Sequence, residues 1–160
     1  MNFVFFLVVS LALFSSVALA ETPPKQEEGD FNFDGHADYR LESGHPGNQC
    51  GWWNYYLFDP VIQRHRLIET GFCKEQFDSE NKLVKTQISG GMVGLIYKTS
   101  HFRWDGMTLV PVYVEAQAYD PARKLFIRMR VTDIDRVGGP TVSSEILTPD
   151  DVGADPQLLN

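Results

Sequence analysis

The feature that most constrains the fold is a hairpin-like unit in which an aromatic residue and an aspartate open a turn and an apolar segment resumes shortly afterwards. Its copies are YLFDPVIQRHRLI, EQFDSENKLVKT, FRWDGMTLVPV and QAYDPARKLFIRM, with Asp59, Asp78, Asp105 and Asp120 at the turns. An aspartate at the first turn position accepts a hydrogen bond from a backbone N–H two residues on, and Pro60 and Pro121 fix the φ that the next position requires. The repeated unit therefore predicts a series of β-hairpins.

The central part of the chain lacks helical periodicity and is rich in Val, Ile, Tyr, Phe, Trp and Thr, the residues that favour strands. Turn residues separate six β-prone segments, which are 52–58, 61–69, 82–89, 93–104, 107–115 and 124–134. We expect an all-β fold of antiparallel hairpin repeats, propeller-like or a partly closed barrel, with a sandwich as the competing arrangement.

The two ends of the chain differ from this central part. The first twenty residues contain no Lys, Arg, Asp or Glu and end in Ala18-Leu19-Ala20, as in a secretory signal peptide. Their apolar run is short for a membrane span, so cleavage is favoured over a retained anchor. We predict a signal peptide over 1–20, export to the periplasm without membrane insertion after cleavage, a β domain over 21–137 and a polar tail over 138–160.

The net charge of −7 argues against nucleic acid as a partner and is compatible with a partner protein that is basic. The chain has two cysteines, Cys50 and Cys73, which an oxidising compartment would favour as a pair. A disulfide between them would close a loop of about 24 residues, worth roughly 3 kcal/mol in the chain-entropy model. The competing interpretation is two buried free thiols.

The stretch DFNFDGHAD places oxygen-bearing groups at the spacing of a calcium-binding loop. Counting from Asp30, positions 1, 3, 5, 7 and 9 of such a loop are Asp30, Asn32, Asp34, the carbonyl of His36, and Asp38, with Gly35 at position 6. Position 12 is Leu41 rather than the usual Glu, and the preceding prolines exclude an entering helix. The sequence therefore predicts a free-standing Ca²⁺ loop over 30–41 with a structural role. The alternative is a polar surface turn.

We expect the protein not to be an enzyme, because the sequence contains no GxSxG, HExxH or P-loop motif. The aromatic cluster CGWWNYYLFDP contains Trp52, Trp53, Tyr55 and Tyr56, which alternate between the two faces of one predicted strand. One face should enter the core. The other is either buried too or free to stack on sugar rings or a protein surface.

Four segments in this order, GDFNFDGHADYRL, CGWWNYYLFDP, EQFDSENKLV and GGMVGLIYKTSHFRWDGMTLV, resemble a family of bacterial periplasmic immunity proteins known from xanthomonads. The best-known member protects against a peptidoglycan-hydrolysing effector delivered by a type IV secretion system. The resemblance covers about residues 29–109. It implies a propeller-like fold, a calcium loop, and a secreted lysozyme-like hydrolase as partner, whose active site the protein occludes. This chain is shorter than the family pattern, so fewer hairpins are expected.

The candidate inhibitory segment is Ser89-Gly90-Gly91-Met92, with Tyr97 and Lys98 nearby. Small residues let a backbone enter a narrow cleft, and a serine hydroxyl or lysine ammonium can engage catalytic carboxylates. The alternative for the segment is a glycine-containing hairpin without a partner. The alternative for the whole protein is a calcium-dependent module that binds envelope glycan or protein without inhibiting an enzyme.

Overall fold

The computed structural model describes residues 23–43, 53–69 and 72–155. The predicted signal peptide lies outside these residues, as does Cys50. The strands are β1 Gln26–Gly29, β2 Asp38–Glu42, β3 Trp53–Asp59, β4 Arg64–Glu69, β5 Gln76–Asp78, β6 Leu83–Ser89, β7 Tyr97–Asp105, β8 Thr108–Asp120, β9 Leu125–Thr132 and β10 Thr141–Leu147. Short 3₁₀ turns occupy Met92–Gly94 and Asp150–Val152.

The strands form two antiparallel sheets in which chain neighbours are also sheet neighbours. The first sheet has the order β1-β2-β3-β4, and the second has the order β10-β9-β8-β7-β6-β5. Neither sheet closes into a barrel within the described ranges. The prediction of an all-β, antiparallel fold is confirmed, and its meandering topology follows from short hairpin connections.

The predicted aspartate turns lie where the hairpins reverse. Asp59, Asp78 and Asp120 each accept a hydrogen bond from a backbone N–H of their own turn, at 2.9 Å from Val61, 3.0 Å from Asn81 and 3.0 Å from Ala122. The fourth turn, between β7 and β8, contains Gly106 at a φ of 58°. These turns connect β3 to β4, β5 to β6, β7 to β8 and β8 to β9, so the repeated unit is a hairpin.

The structure changes several predicted boundaries. Segment 93–104 begins as a strand only at Tyr97, because a 3₁₀ turn precedes it, and segment 107–115 extends to Asp120. Residues 138–160, predicted as a polar tail, contain β10, and the Glu-containing stretch before the acidic loop forms β1. Both are edge strands with largely exposed side chains, each held by backbone pairing to one neighbouring strand.

The principal core lies between the first sheet and the β5–β7 part of the second. Its buried members are Phe31, Tyr55, Leu57, Phe72 and Val84. A smaller cluster at the far end of the second sheet packs Phe126 of β9 against Leu147 and Ala154. No helix in the described ranges has the length and apolar character needed to span a bilayer.

Arg40 of β2 links the two sheets through the principal core. Its guanidinium pairs with Glu27 of β1 and, at 2.6 Å, with Glu75 in the segment leading to β5. It also donates to the Tyr55 hydroxyl at 3.0 Å and lies 4.2 Å from the centre of the Trp53 ring. One cation on β2 thus contacts β1, β3 and the segment that leads into the second sheet.

The surroundings of Arg40 fix the protonation of its partners. Hydrogen bonds from Lys25 and Arg40 lower the pKa of Glu27 below its ordinary value. Burial and the negative charge of Glu75 raise the pKa of the Tyr55 hydroxyl, which therefore stays protonated and donates to Glu75 at 3.2 Å. The side chains of Arg40 and Glu75 are only 15% and 8% exposed, so their pairing is largely shielded from water.

We expect Arg40→Ala to lower the free energy of unfolding by about 3 kcal/mol or more, because it leaves the Glu75 carboxylate buried without its cation. Arg103→Ala is the matched control. This substitution removes the 2.6 Å salt bridge from Arg103 to Asp135, and the Arg103 side chain is 53% exposed. We expect it to lower the free energy of unfolding by less than about 1 kcal/mol. Urea unfolding at neutral pH measures both. Equal losses in the two variants would contradict the assigned role of Arg40.

Candidate functional site

The predicted calcium loop is a compact turn between β1 and β2. The Asp30 carboxylate accepts hydrogen bonds from the backbone N–H groups of Asp34 at 3.0 Å and Gly35 at 2.9 Å. Asp34 Oδ1 accepts from the N–H of His36 at 2.8 Å. Gly35 has a φ of +88°, which explains why glycine follows the third polar position. The loop ends at Ala37, and predicted positions 9 to 12 lie on β2.

Two of the predicted ligands converge on the backbone amide of a third. The Asp34 N–H lies 3.0 Å from Asp30 Oδ1 and 3.2 Å from Asn32 Oδ1, and Asn32 Nδ2 donates to Asp34 Oδ2 at 2.8 Å. Within the described residues no Lys, Arg or His side chain forms a salt bridge with Asp30 or Asp34. Two carboxylates and an amide oxygen thus share a small turn in which no described cationic side chain pairs with the carboxylates.

Asp38 differs from the other predicted ligands because it is 2% exposed and faces the core. Its two oxygens accept backbone N–H groups from Phe31 and Phe58, each at 2.8 Å. Burial and the nearby charge of Asp34 raise the pKa of its carboxyl, although both hydrogen bonds oppose this. Asp38 therefore joins the loop to β3 through these two hydrogen bonds.

The oxygen donors of the loop fit a hard cation in kind. Asp30, Asn32, Asp34 and the His36 carbonyl offer only oxygen, the ligand type that Ca²⁺ prefers. In the described part of the chain, however, no group of three or more His, Cys, Asp or Glu side chains is placed to hold a metal ion. The side-chain contribution is therefore two carboxylates and one amide. The remaining ligands would have to be backbone carbonyls or water.

The loop is anchored from below and open above. Phe31 is buried, packs edge-on against Tyr55 at 5.4 Å, and has its carbonyl bonded to Trp104 Nε1 at 2.9 Å. The ring centres of Phe33 and Phe77 are 6.3 Å apart. Both phenylalanines therefore anchor the loop to the principal core. Above the loop, Asn32 and Asp34 line an open cleft of about 720 Å³ that continues over the turns of the neighbouring hairpins.

Cys50, one member of the predicted disulfide, lies outside the described residues. Cys73 is buried at 4% exposure, directly before the segment that carries Glu75. The pairing of Cys50 with Cys73 stays a prediction.

The candidate inhibitory segment forms the connection between β6 and β7. The Gly90 N–H donates to the Ile96 carbonyl at 2.6 Å, and the Leu95 N–H donates to the Met92 carbonyl at 3.1 Å. Gln117 of β8 donates to the Leu95 carbonyl at 2.8 Å. Met92 and Leu95 also pack against the cluster around Phe126. The connection is therefore fixed to the second sheet by both backbone and side-chain contacts.

The tip of this connection holds two consecutive residues in the left-handed region, Met92 at a φ of 57° and Val93 at 55°. This conformation is unfavourable for residues with a Cβ, and especially for a β-branched one. Val93 is 87% exposed at the tip. The sequence reasoning missed Val93, because neither its residue type nor its spacing signals a left-handed turn.

The six residues proposed for partner binding differ in their availability. Ser89, Gly90, Gly91 and Lys98 are exposed. Met92 is half-buried against the Phe126 cluster, and the Tyr97 hydroxyl donates to Glu115 at 2.6 Å. Hydrogen bonds from Tyr97, Arg130 and Tyr113 lower the pKa of Glu115 despite its partial burial, so this carboxylate is an anchor for Tyr97.

The aromatic cluster on β3 is mostly occupied by internal contacts. Tyr55 is fully buried, Trp53 lies under Arg40, and Tyr56 stacks on Tyr39 with ring centres 4.6 Å apart and nearly parallel. Trp52 lies outside the described residues. The described members of the cluster do not form an open row of ring faces.

The chain matches no protein-family model, and it matches no curated protein. Among solved structures, its fold is similar to that of a Xanthomonas type IV secretion system related protein, with a TM-score of 0.53 and 19% sequence identity. The match covers 75% of this chain and 58% of that protein, so this chain spans less than two thirds of its length. The similarity shows a shared fold.

Adjacent glycines in the β6–β7 connection provide a test of its packing. A Cβ on Gly90 would lie 2.8 Å from Ile96 Cγ2, whereas one on Gly91 would meet nothing within 4 Å. We expect Gly90→Ala to lower the free energy of unfolding by about 1–3 kcal/mol through overpacking. Gly91→Ala should stay within about 0.5 kcal/mol of the wild type. Urea unfolding of both variants checks this, and indistinguishable curves would show that the connection is loosely packed.

Proposed function

We propose that this chain is an exported inhibitor, or immunity protein, that binds a lysozyme-like peptidoglycan hydrolase and blocks its sugar cleft. The β6–β7 connection is the inhibitory element, and Ca²⁺ binds the loop between β1 and β2 as a structural ion. The observation that carries the proposal is the fixed, strained and protruding connection with Val93 at its tip.

A segment of this kind suits occlusion because little conformational entropy is lost when it enters a cleft. Gly91 brings bare backbone close to the tip, and Val93 supplies an exposed apolar side chain. Lys98 lies exposed near the base of the connection. Glycoside hydrolases of this class act through a pair of carboxylates, which an ammonium group can engage.

The charge of the chain supports a basic partner. Its net charge of −7 would steer association with a positively charged hydrolase and would disfavour the anionic surfaces to which such enzymes bind. The fold similarity supports the same setting, since the similar Xanthomonas protein is described as related to a type IV secretion system. We extend that setting to this chain, with a secreted effector hydrolase as its partner in the periplasm.

In this proposal Asp30, Asn32, Asp34 and the His36 carbonyl hold the calcium ion, and Asp38 fixes the loop to β3. The ion supplies positive charge that offsets the repulsion between the loop carboxylates. The loop lies beside the start of β6, where Lys82 Nζ approaches the Phe33 carbonyl at 3.4 Å. The inhibitory connection follows the other end of β6, about 23 Å away for a seven-residue strand. Calcium therefore acts on stability and not on the inhibitory contact.

Calcium should raise the melting temperature of the mature protein, and chelation with EGTA should lower it again. At calcium about 100-fold above the dissociation constant, the expected stabilisation is about 2.7 kcal/mol. Asp34→Ala should melt at the same temperature with and without calcium. Glu80→Ala, which removes another exposed carboxylate from the same cleft, should keep the full shift. A wild-type protein indifferent to calcium would contradict the metal assignment.

Inhibition is tested by titrating the mature protein against lysozymes and against hydrolases encoded beside its gene. The proposal predicts a stoichiometric complex and loss of peptidoglycan hydrolysis. Val93→Asp should weaken inhibition by tenfold or more, as expected for a buried anchor at an interface. Its melting temperature should not change.

The matched control for this experiment is Val61→Asp. Val61 is 89% exposed, as Val93 is 87%, but it lies on the β3–β4 turn. Its substitution should leave inhibition intact. Co-sedimentation with peptidoglycan while every enzyme remains active would favour the glycan-binding alternative instead. Equal effects of both substitutions would show that the connection is not the inhibitory element.

A further inference from the structure

The described structure leaves one long sheet edge without the usual protection against strand pairing. Edge strands are normally short or charged. The edges β1 and β5 have four and three residues, and β4 begins with Arg-His-Arg. By contrast, β10 has seven residues, TVSSEIL, of which only Glu145 is charged.

The apolar side chains of β10 extend an exposed face of the second sheet. Val142 and Ile146 are 61% and 65% exposed, and the pairing register places Ile146 beside Ile127 and Ser144 beside Met129. This is the face that the first sheet covers at Val84 and Phe102, farther along the same sheet. At β9 and β10 no described element covers it.

The sequence of β10 is complementary to itself in one antiparallel register. When two copies pair with Ser144 opposite Ser144, Val142 lies opposite Ile146 of the second copy on the apolar face. Ser143 then lies opposite Glu145 of the second copy on the polar face. Apolar pairs and hydroxyl–carboxylate pairs are favourable between directly opposed residues.

Neighbouring registers lack this complementarity. Centring the pair on Glu145 places two carboxylates directly opposite each other, which is destabilising. A shift by one residue places Val142 opposite Glu145 and so mixes the two faces. Within a single chain, Glu145 Oε2 already lies 3.6 Å from Arg128 Nη1 and 3.7 Å from Arg130 Nη1. Its charge is thus balanced before the copies meet.

From the open edge, the self-complementary register and the balanced charge, we propose that β10 is the interface of a homodimer. The second sheets of two copies join edge to edge about a two-fold axis at Ser144. Since antiparallel pairing reverses the second copy, the two β6–β7 connections lie at opposite ends of the joined sheet. Each remains accessible, so a dimer could hold two partners. The dimer does not depend on the proposed inhibitory function.

The first test measures the mass of the mature protein in solution by light scattering and sedimentation over a concentration series. The wild type should approach twice its monomer mass. Val142→Lys places a charge in the apolar pair and should raise the dimer dissociation constant at least tenfold. Val61→Lys, at an even more exposed valine away from the edge, should have no effect. A monomeric wild type throughout the series, or identical behaviour of the two variants, would overturn the proposal.

The second test addresses the register. Ser144→Cys should form a disulfide-linked dimer under mild oxidation, because the two positions face each other across the axis at a separation that a disulfide spans. In Thr141→Cys the two sulfurs would lie about 20 Å apart, so this variant should stay uncrosslinked, as should the wild type with its own cysteines. Crosslinking of both variants alike, or of neither, would contradict the register.

Discussion

The packing of the two sheets against each other depends on one largely shielded cation, the guanidinium of Arg40. Arg40 is surrounded by the carboxylates of Glu27 and Glu75, the Tyr55 hydroxyl and the ring of Trp53, which lie on separate parts of the chain. A planar guanidinium can bond several acceptors in its plane while an aromatic ring lies against its face, which a lysine ammonium cannot do as well. Because Glu75 leads into β5, the interaction fixes the second sheet against the first.

Asp38, two residues earlier on the same strand, provides the corresponding link for the acidic loop. Its oxygens bind one amide in the loop and one on β3, so the loop moves with the sheet. A small domain with few fully buried side chains gains much from such links, since its apolar core alone is limited. The strained β6–β7 connection is held at the other end of β6, where Gln117 and the Phe126 cluster fix it.

Much of this fold is predictable from local chemistry. The aspartates that open turns, the glycine of the acidic loop and the phenylalanines beneath that loop all act through rules that operate over a few residues. These rules do not predict the edge strands β1 and β10, because backbone pairing to a neighbouring strand holds them in place. The role of Arg40 could not be predicted locally, because an arginine between Tyr39 and Leu41 is typical of a surface strand. Its partners lie up to 35 residues away along the chain. The exposed turn at Val93 could not be predicted either, because the surroundings of Val93 impose its left-handed conformation.

Hydrogen exchange in the free protein tests most directly whether Asp38 of β2 holds the loop and the first sheet as one unit. The amides of Phe31 and Phe58 donate to the buried Asp38 carboxylate. They should exchange only through global unfolding, with the same free energy as the Tyr55 amide in the middle of β3. Rapid exchange at Phe31 and Phe58 while Tyr55 stays protected would show that the loop opens independently of the sheets, and would contradict this account.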